Sequence, residues 1–232
     1  MSLYLTLELC SITVPLILSF DRKVGYYRHW PVLFPSILLT GALFIIFDIC
    51  FAKNGIWGFN PRYHSGLILY ALPVEEWLFF IIIPYSSIFI HYVIKAYFPQ
   101  ALLADKTTRI ISLILIAILI LSVIINYQKA YTVVYFSMMI IVVTIALLTN
   151  TGLLGRFYLS FLLILIPFIL INGILTGSFI EEAVVWYNSA EIIGLRILTI
   201  PVEDFAYGFS LILINLMLMN CFRKLFRRTH IS

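Results

Sequence analysis

Long apolar stretches alternate with short polar segments along the whole chain. Seven of them are long enough to cross a membrane, since a bilayer core needs about 20 mostly apolar residues per helix. They lie near residues 3–20, 31–52, 66–94, 108–126, 130–148, 156–175 and 195–222. Backbone groups in lipid must bond within their own segment, and the alternating pattern of a membrane barrel is missing. The pattern predicts an all-α integral membrane protein with seven transmembrane helices.

The composition excludes an ordinary soluble domain. Of the 232 residues, 62% are hydrophobic and 11% are charged, and the mean hydropathy is +1.06. The first apolar stretch carries Glu8 and lacks a basic start and a small-residue cleavage site, so we interpret it as a retained helix.

Cys10, Cys50 and Cys221 lie far apart, which predicts small buried hydrophobic side chains rather than a metal or redox site.

The basic residues predict the orientation in the membrane. Four of the fifteen lie on one predicted side, namely Lys53, Arg62, Lys129 and Arg196, and the other eleven lie on the opposite side. The positive-inside rule therefore puts the N-terminus outside and the basic tail, residues 223–228, in the cytoplasm. We predict that the membrane is the inner membrane of the cell. Such a basic cluster typically meets anionic lipid, so the net charge of +4 requires no nucleic acid.

The chain repeats itself at an offset of 128 residues. Asn60 aligns with Asn188, and the run Pro73, Val74, Glu75, Glu76 aligns with Pro201, Val202, Glu203, Asp204. We therefore predict a first three-helix repeat over residues 1–95, a connecting segment with the fourth helix over 96–129, and a second three-helix repeat with the basic tail over 130–232. Four crossings separate equivalent helices, so the repeats are predicted to be parallel, with both acidic motifs at one depth.

The depth of the acids depends on where the third and seventh helices begin. If they begin near Gly66 and Gly194, Glu75 and Glu203 lie nine residues in, or ~13 Å along the axis, close to the membrane middle. A carboxylate there costs ~2.5–3.5 kcal/mol on insertion scales and usually carries function. The alternative is that both helices begin at the prolines of the motif, which makes the two glutamates first-turn residues near the interface.

The neighbours of the acids suggest which of them face a cavity. Glu75 and Glu203 are each followed four residues later by an aromatic ring on the same helix face, so we predict that these two face the cavity. Their predicted orienting partners are Glu76 and Asp204.

Other polar residues near the motifs are predicted to support them. Pro73 and Pro201 would kink their helices and open space beside the carboxyl groups. Asn60 and Asn188 either brace a helix start or bond to the acids. Asp48 has no acidic counterpart in the repeat and is predicted to serve helix packing.

The acids and their aromatic neighbours suggest one kind of chemistry. Two carboxyl groups in a cavity of low dielectric constant keep one proton between them at neutral pH, and aromatic faces stabilise a cation. We predict protonation of an alkene and guidance of the resulting carbocation. The predicted substrate-binding rings are Trp77, Phe79, Phe80, Phe205, Tyr207 and Phe209.

The doubled motif, each copy followed by aromatic residues within a three-helix unit, resembles the heterodimeric-type, membrane-integral carotenoid cyclases, chiefly lycopene cyclase, with both subunits fused in one chain. The resemblance implies an intramolecular lyase of carotenoid biosynthesis that converts lycopene or a related linear carotene to ring-ended products such as β-carotene without a cofactor. It implies that other carotenoid-pathway enzymes are candidate partners, and β-, ε- and γ-rings all stay open. The implied catalytic residues are Glu75, Glu76, Glu203 and Asp204.

Three other functions are compatible with parts of the sequence pattern. A proton-coupled transporter would also use a parallel repeat and membrane acids, but it needs a polar path, and few polar residues lie outside the motifs. A retinal-binding pump shares the helix plan, but residues 205–222 of the last helix contain no lysine for a Schiff base. A structural protein that organises carotenoid enzymes would leave the buried acid pairs unexplained.

Overall fold

Helices make up most of the protein in a computed structural model that describes residues 2–229, with side chains through residue 226. Within this range a 3-10 turn covers Tyr26–His29. The α-helices are α1 (Leu3–Leu18), α2 (Trp30–Lys53), α3 (Val74–Tyr97), α4 (Asp105–Ile125), α5 (Ala130–Thr149), α6 (Thr151–Leu175) and α7 (Val202–Thr229). The all-α prediction is thereby confirmed.

Six of these helices, α2 to α7, are long and apolar enough to cross a membrane. The first helix, α1, is apolar too but has only 16 residues. Many large apolar side chains on the outer surface of the bundle are exposed, as expected for a protein whose solvent is lipid. The chain is therefore an integral membrane protein, as predicted. Arg227 and Arg228 of the predicted cytoplasmic tail have side chains outside the described range.

The helices pack around two adjoining cores. The closest pairs are α5 with α7 and α1 with α3, and α2 packs against both α3 and α7. Ile88 of α3 and Leu213 of α7 are fully buried at the centre of the larger core. Helix α4 lies at the edge and buries only Thr108, Ser112 and Leu119. The helices that carry the acidic motifs are thus the central ones.

Three short two-stranded sheets cover one end of the bundle, and the sequence patterns did not predict them. The strands are β1 (Trp57–Phe59), β2 (Ile68–Leu69), β3 (Leu72–Pro73), β4 (Val185–Tyr187), β5 (Arg196–Ile197) and β6 (Ile200–Pro201). β1 pairs antiparallel with β4, and Gly58 lies opposite Trp186, the residue 128 positions later. β2 pairs with β3 and β5 with β6, so each motif is preceded by a hairpin.

The prediction that the third and seventh helices begin near Gly66 and Gly194 is wrong. Both glycines have positive φ, 87° and 89°, and each opens a hairpin instead of a helix. The first hairpin turns at Tyr70 and Ala71, which both have positive φ as a tight two-residue turn requires. Val74 then starts α3, because the extended residue before it ends the hairpin. The alternative that the helices begin at the prolines is the correct one.

The cysteines also differ from expectation. All three are exposed rather than buried. In a membrane-spanning bundle an exposed small apolar side chain faces lipid at little cost, so the burial expected of a soluble protein does not carry over.

Candidate active site

A cavity of about 400 Å³ lies between α1, α3, α6 and α7. Its lining is almost entirely apolar and aromatic, with the acidic motifs at the end of the bundle that carries the sheets. Trp57 of β1, together with Val185 and Tyr187 of β4, lines that end. The sheet between β1 and β4 therefore forms the wall of the cavity beside the acids.

Glu76 and Asp204 line this cavity, whereas Glu75 and Glu203 do not. The prediction had the two members of each pair the other way round. The reason is the helix start: Glu76 and Asp204 are the third residues of α3 and α7, and successive helix positions point ~100° apart. All four acids are buried, but by the surrounding protein at the helix starts rather than by depth along the helix.

Glu75 and Glu203 act as braces at the starts of α3 and α7. Glu75 accepts hydrogen bonds from the Ser65 backbone N–H at 2.7 Å and from the Ser2 hydroxyl at 2.7 Å. Glu203 accepts from the Ile193 backbone N–H at 2.7 Å and the Thr132 hydroxyl at 2.6 Å. Each carboxylate thereby ties its own helix to the preceding loop and to a neighbouring helix, and it also favours the positive helix end.

Glu76 has a sparse hydrogen-bond environment. Its carboxyl group accepts a side-chain hydrogen bond from the Tyr4 hydroxyl of α1 at 2.5 Å. Asp204 lines the same cavity, and Asp48 lies behind its wall in contact with Tyr207. Glu8 of α1, one helix turn after Tyr4, is also buried near Glu76. A single side-chain donor together with three neighbouring acids disfavours the anion, so the arrangement suits a carboxyl group that carries a proton.

Asp204 has a much richer environment. It accepts from the Tyr131 hydroxyl at 2.8 Å, the Tyr187 hydroxyl at 2.8 Å and the Asn172 amide at 3.0 Å. Burial raises the pKa of the Tyr187 hydroxyl, so this group keeps its proton and remains a donor. Three donors aimed at one carboxylate favour its ionised form.

Asp48 forms a third acidic centre behind the cavity wall. Its side chain is fully buried and accepts from the Tyr135 hydroxyl at 2.8 Å and the Tyr207 hydroxyl at 3.1 Å. Tyr207 itself lines the cavity. The predicted packing role of Asp48 is therefore too narrow, since the carboxylate orients a ring that faces the cavity.

Two of the six rings predicted to bind substrate lie in the wall of the cavity. Phe79 and Tyr207 line the cavity, and their centroids are 6.4 Å apart. The other four rings pack elsewhere, Trp77 beside Tyr70 of the first hairpin, Phe80 against Phe44, Phe205 against Phe168, and Phe209 against Phe157. Phe168 of α6 and Phe89 of α3 line the cavity and were missed.

The predicted supporting residues hold the loops rather than the acids. The backbone N–H groups of Asn60 and Asn188 extend the pairing of β1 with β4, and both side chains accept from a backbone N–H two residues later. Neither asparagine bonds to the four acids of the repeated motif. The Asn60 amide donates to the Glu182 carboxylate, and the Asn188 amide donates to the Gly55 carbonyl. Pro73 and Pro201 end β3 and β6 instead of kinking a helix.

Sequence reasoning missed the donors that distinguish the two cavity acids. Tyr4, Tyr131, Asn172 and Tyr187 come from α1, α5, α6 and β4, with no motif that connects them to the acids along the chain. The signal in the sequence that could have indicated these donors is the hydroxyl or amide group that each of them carries within an otherwise apolar stretch. Within the part of the chain that the structure describes, no group of three histidine, cysteine or acidic side chains could hold a metal ion.

The fold and cavity define a helical membrane protein with two carboxyl groups at the end of an apolar chamber. The family model for lycopene cyclase matches residues 1–94 and 128–222, which together make up most of the chain. The chain therefore belongs to the lycopene cyclase family, and this membership implies a carotenoid cyclase that acts on a linear carotene. Neither the curated proteins nor the solved structures contain a match.

Proposed function

We propose that the protein cyclises the ends of lycopene to ionone-type rings by protonating a terminal double bond, with no net redox change. The observation that carries this proposal is the placement of Glu76 and Asp204 in a chamber whose other lining is almost entirely apolar and aromatic. A hydrocarbon substrate offers no polar group to bind, so an apolar chamber is the environment that it needs. The reaction needs an acid and a base at one end of that chamber.

The hydrogen-bond partners assign different roles to the two acids. Glu76, with one donor, holds the proton that is transferred. Asp204, with three donors, is the carboxylate that stabilises the cation and accepts a proton. Glu75 and Glu203 are positioning residues, because Glu75 and the Oε1 atom of Glu203 accept hydrogen bonds from loops and neighbouring elements outside the cavity lining.

The proposed steps balance in atoms and charge. The Glu76 carboxyl group protonates the terminal alkene, which leaves a tertiary cation on the substrate and a carboxylate on Glu76. The next double bond attacks this cation, so a carbon–carbon bond closes the ring and the positive charge moves to a ring carbon. Asp204 removes a proton beside that carbon, and the electrons of the broken C–H bond form the new double bond. The proton then returns from Asp204 to Glu76 before the next turnover.

The aromatic residues help by stabilising the cation. Phe79 and Tyr207 line the same cavity as the acids, and an aromatic ring whose face meets a cation contributes about 0.5–2 kcal/mol to binding it. Asp48 accepts a hydrogen bond from the Tyr207 hydroxyl at 3.1 Å and so orients that ring. Groups that are already fixed in position stabilise the positive charge that develops on the substrate. They lower the activation barrier of cyclisation because they need not reorient during the reaction.

The two halves are proposed to be parallel repeats with an axis along the membrane normal. Support comes from the structural elements: β1, β2, β3 and α3 each begin 128 residues before β4, β5, β6 and α7. The register of β1 on β4 is symmetric about the pair of Gly58 and Trp186, as expected if a two-fold axis passes between these two residues. The two segments matched by the family model are offset by a similar amount. The proposed membrane is the inner membrane, with the sheets outside and the basic end of α7 inside.

The proposed function is tested in cells that accumulate lycopene. Expression of the wild-type protein is expected to replace lycopene with ring-ended carotenes, measured by chromatography of the extracted pigments. Glu76→Gln and Asp204→Asn should leave lycopene unchanged, while Glu181→Gln, at a highly exposed site, should behave like the wild type. Unchanged pigments with well-inserted wild-type protein would contradict the proposal, and proton-driven solute uptake by vesicles would favour the transporter instead.

A further inference from the structure

The wall of the cavity between α1 and α6 differs from its other walls. Cys10 and Val14 of α1 and Pro167 and Leu170 of α6 line the cavity and are also exposed on the surface of the bundle. Val14 has 58% of its surface exposed and Leu170 61%. Residues that are both cavity lining and outer surface mark an opening. We name these four residues the lateral gap.

The packing of the helices explains why the gap exists. Helix α1 packs mainly on α3, while α6 packs on α3, α4 and α5, and few direct contacts join α1 to α6. Helices α1 and α6 thus each pack on other helices of the bundle, and a seam with little direct packing lies between α1 and α6. The seam lies on the flank of the bundle, where membrane-spanning helices face lipid.

We infer that the lateral gap admits a linear carotene directly from the bilayer, with one end group inside at the acids and the rest of the polyene lying through the gap. This inference rests on the proposed function and adds the route and the bound pose. All four gap residues are uncharged and three are hydrocarbon side chains, which suits an apolar occupant. At the other end, the sheet of β1 and β4 covers the acids and leaves the flank as the apolar route.

The shape of the cavity favours this pose. Its lining on α3 runs from Glu76 to Ile90, or ~21 Å along the helix axis, while on α1 it runs from Tyr4 to Pro15, or ~16 Å. The volume of about 400 Å³ is near the lower end of the ~300–1,000 Å³ range of ligand pockets. A long, narrow chamber of this size takes one end of a polyene and requires an exit for the remainder.

Two routes of evidence test the lateral gap, and the first uses bulk. Val14→Trp and Leu170→Trp fill the gap and should reduce ring formation at least about tenfold. The matched controls are Leu9→Trp on α1 and Leu162→Trp on α6, which are exposed but do not line the cavity, and these should keep wild-type turnover. Wild-type turnover in both gap variants would overturn the inference.

The second route uses the natural thiol at the gap. In a variant with Cys50→Ser and Cys221→Ser, Cys10 is the remaining thiol, and membrane-soluble maleimide should label it. Added lycopene should slow this labelling several-fold, whereas a cysteine moved to position 9 by Leu9→Cys with Cys10→Ser should label at the same rate with and without lycopene. Equal slowing at both positions, or at neither, would overturn the inference. The labelling does not need turnover, so it separates failure of the gap from failure of the proposed function.

Discussion

The two cavity acids occupy the same place in their helices but have different surroundings. Glu76 and Asp204 are each the third residue of a helix that follows a short hairpin. Glu76 has one tyrosine donor, whereas Asp204 has two tyrosine donors and an amide. The comparison teaches that a fold can place two carboxyl groups at equivalent positions and still surround them with different hydrogen-bond donors, which is the basis for the different roles that we propose. An acid–base reaction needs that difference, because two identical acids would compete for one proton.

The outer acids show the opposite behaviour. Glu75 and Glu203 share two contacts, one with the backbone N–H of the residue ten positions earlier and one with a hydroxyl group, that of Ser2 at the start of α1 or that of Thr132 in α5. These contacts hold the starts of both α3 and α7, so the surroundings of the outer acids are alike where those of the cavity acids differ. Four predictions break or sharpen this comparison.

The largest effect is expected at the proposed proton donor. Glu76→Gln keeps the size of the side chain but removes the transferable proton, so kcat should fall by roughly 1,000-fold, within the ~10²–10⁴ range of general acid catalysis. Ring formation per folded protein in detergent micelles or liposomes measures the effect. KM should stay close to the wild-type value, and turnover within a few-fold of wild type would remove Glu76 from the mechanism.

A smaller but still large effect is expected at the proposed base. Asp204→Asn removes the negative charge that its three hydrogen-bond donors stabilise. We expect kcat to fall about 100-fold, which is typical for the loss of one group that stabilises charge in a transition state. The same turnover assay measures it. If the loss at Asp204 clearly exceeds the loss at Glu76, the assignment of donor and base is reversed.

The tyrosine donors provide a matched pair of substitutions. Tyr131→Phe removes a hydrogen bond to the proposed carboxylate and Tyr4→Phe removes one to the proposed neutral acid. Hydrogen bonds to charged groups contribute ~1.5–3 kcal/mol and neutral ones ~0.5–1.5 kcal/mol. Turnover should therefore fall about tenfold for Tyr131→Phe and about threefold for Tyr4→Phe. Equal losses would argue that Glu76 and Asp204 have the same charge.

The smallest effect on turnover is expected at the outer acids. Glu75→Gln and Glu203→Gln weaken the contacts that hold the helix starts and should lower the free energy of unfolding by ~1–3 kcal/mol. Turnover per folded protein should stay within about twofold, because neither side chain lines the cavity. Thermal unfolding in micelles, with Glu181→Gln as the exposed control, measures the loss of stability. Lost turnover at unchanged stability would mean that an outer acid takes part in the chemistry.

The helices could be predicted from the sequence because lipid demands long apolar segments, and every helix lies within one of the predicted stretches or overlaps it. The apolar run before Pro73 was misleading, because a hairpin of Ile68 and Leu72 has the same hydropathy as a helix turn. The hairpin differs from a helix turn by the positive φ of Tyr70 and Ala71. Because neither residue is a glycine, the sequence does not indicate this backbone conformation.

The candidate acids could be predicted as a set but not their orientation. The charge of Glu75 and Glu76 in an apolar chain marks the pair, whereas the cavity-facing member depends on where the helix begins. The donors around Asp204 come from three distant parts of the chain, and their meeting is a property of tertiary packing. Asp48 illustrates the same limit, since its partner Tyr207 is 159 residues away.

The most direct measurement compares Glu76→Gln with Glu75→Gln in cells that accumulate lycopene. The two residues are adjacent, carry the same charge and undergo the same substitution, but only Glu76 lines the cavity. We expect cells with Glu76→Gln to retain lycopene and cells with Glu75→Gln to make ring-ended carotenes, at matched amounts of inserted protein. Ring formation by Glu76→Gln together with its loss in Glu75→Gln would contradict the account.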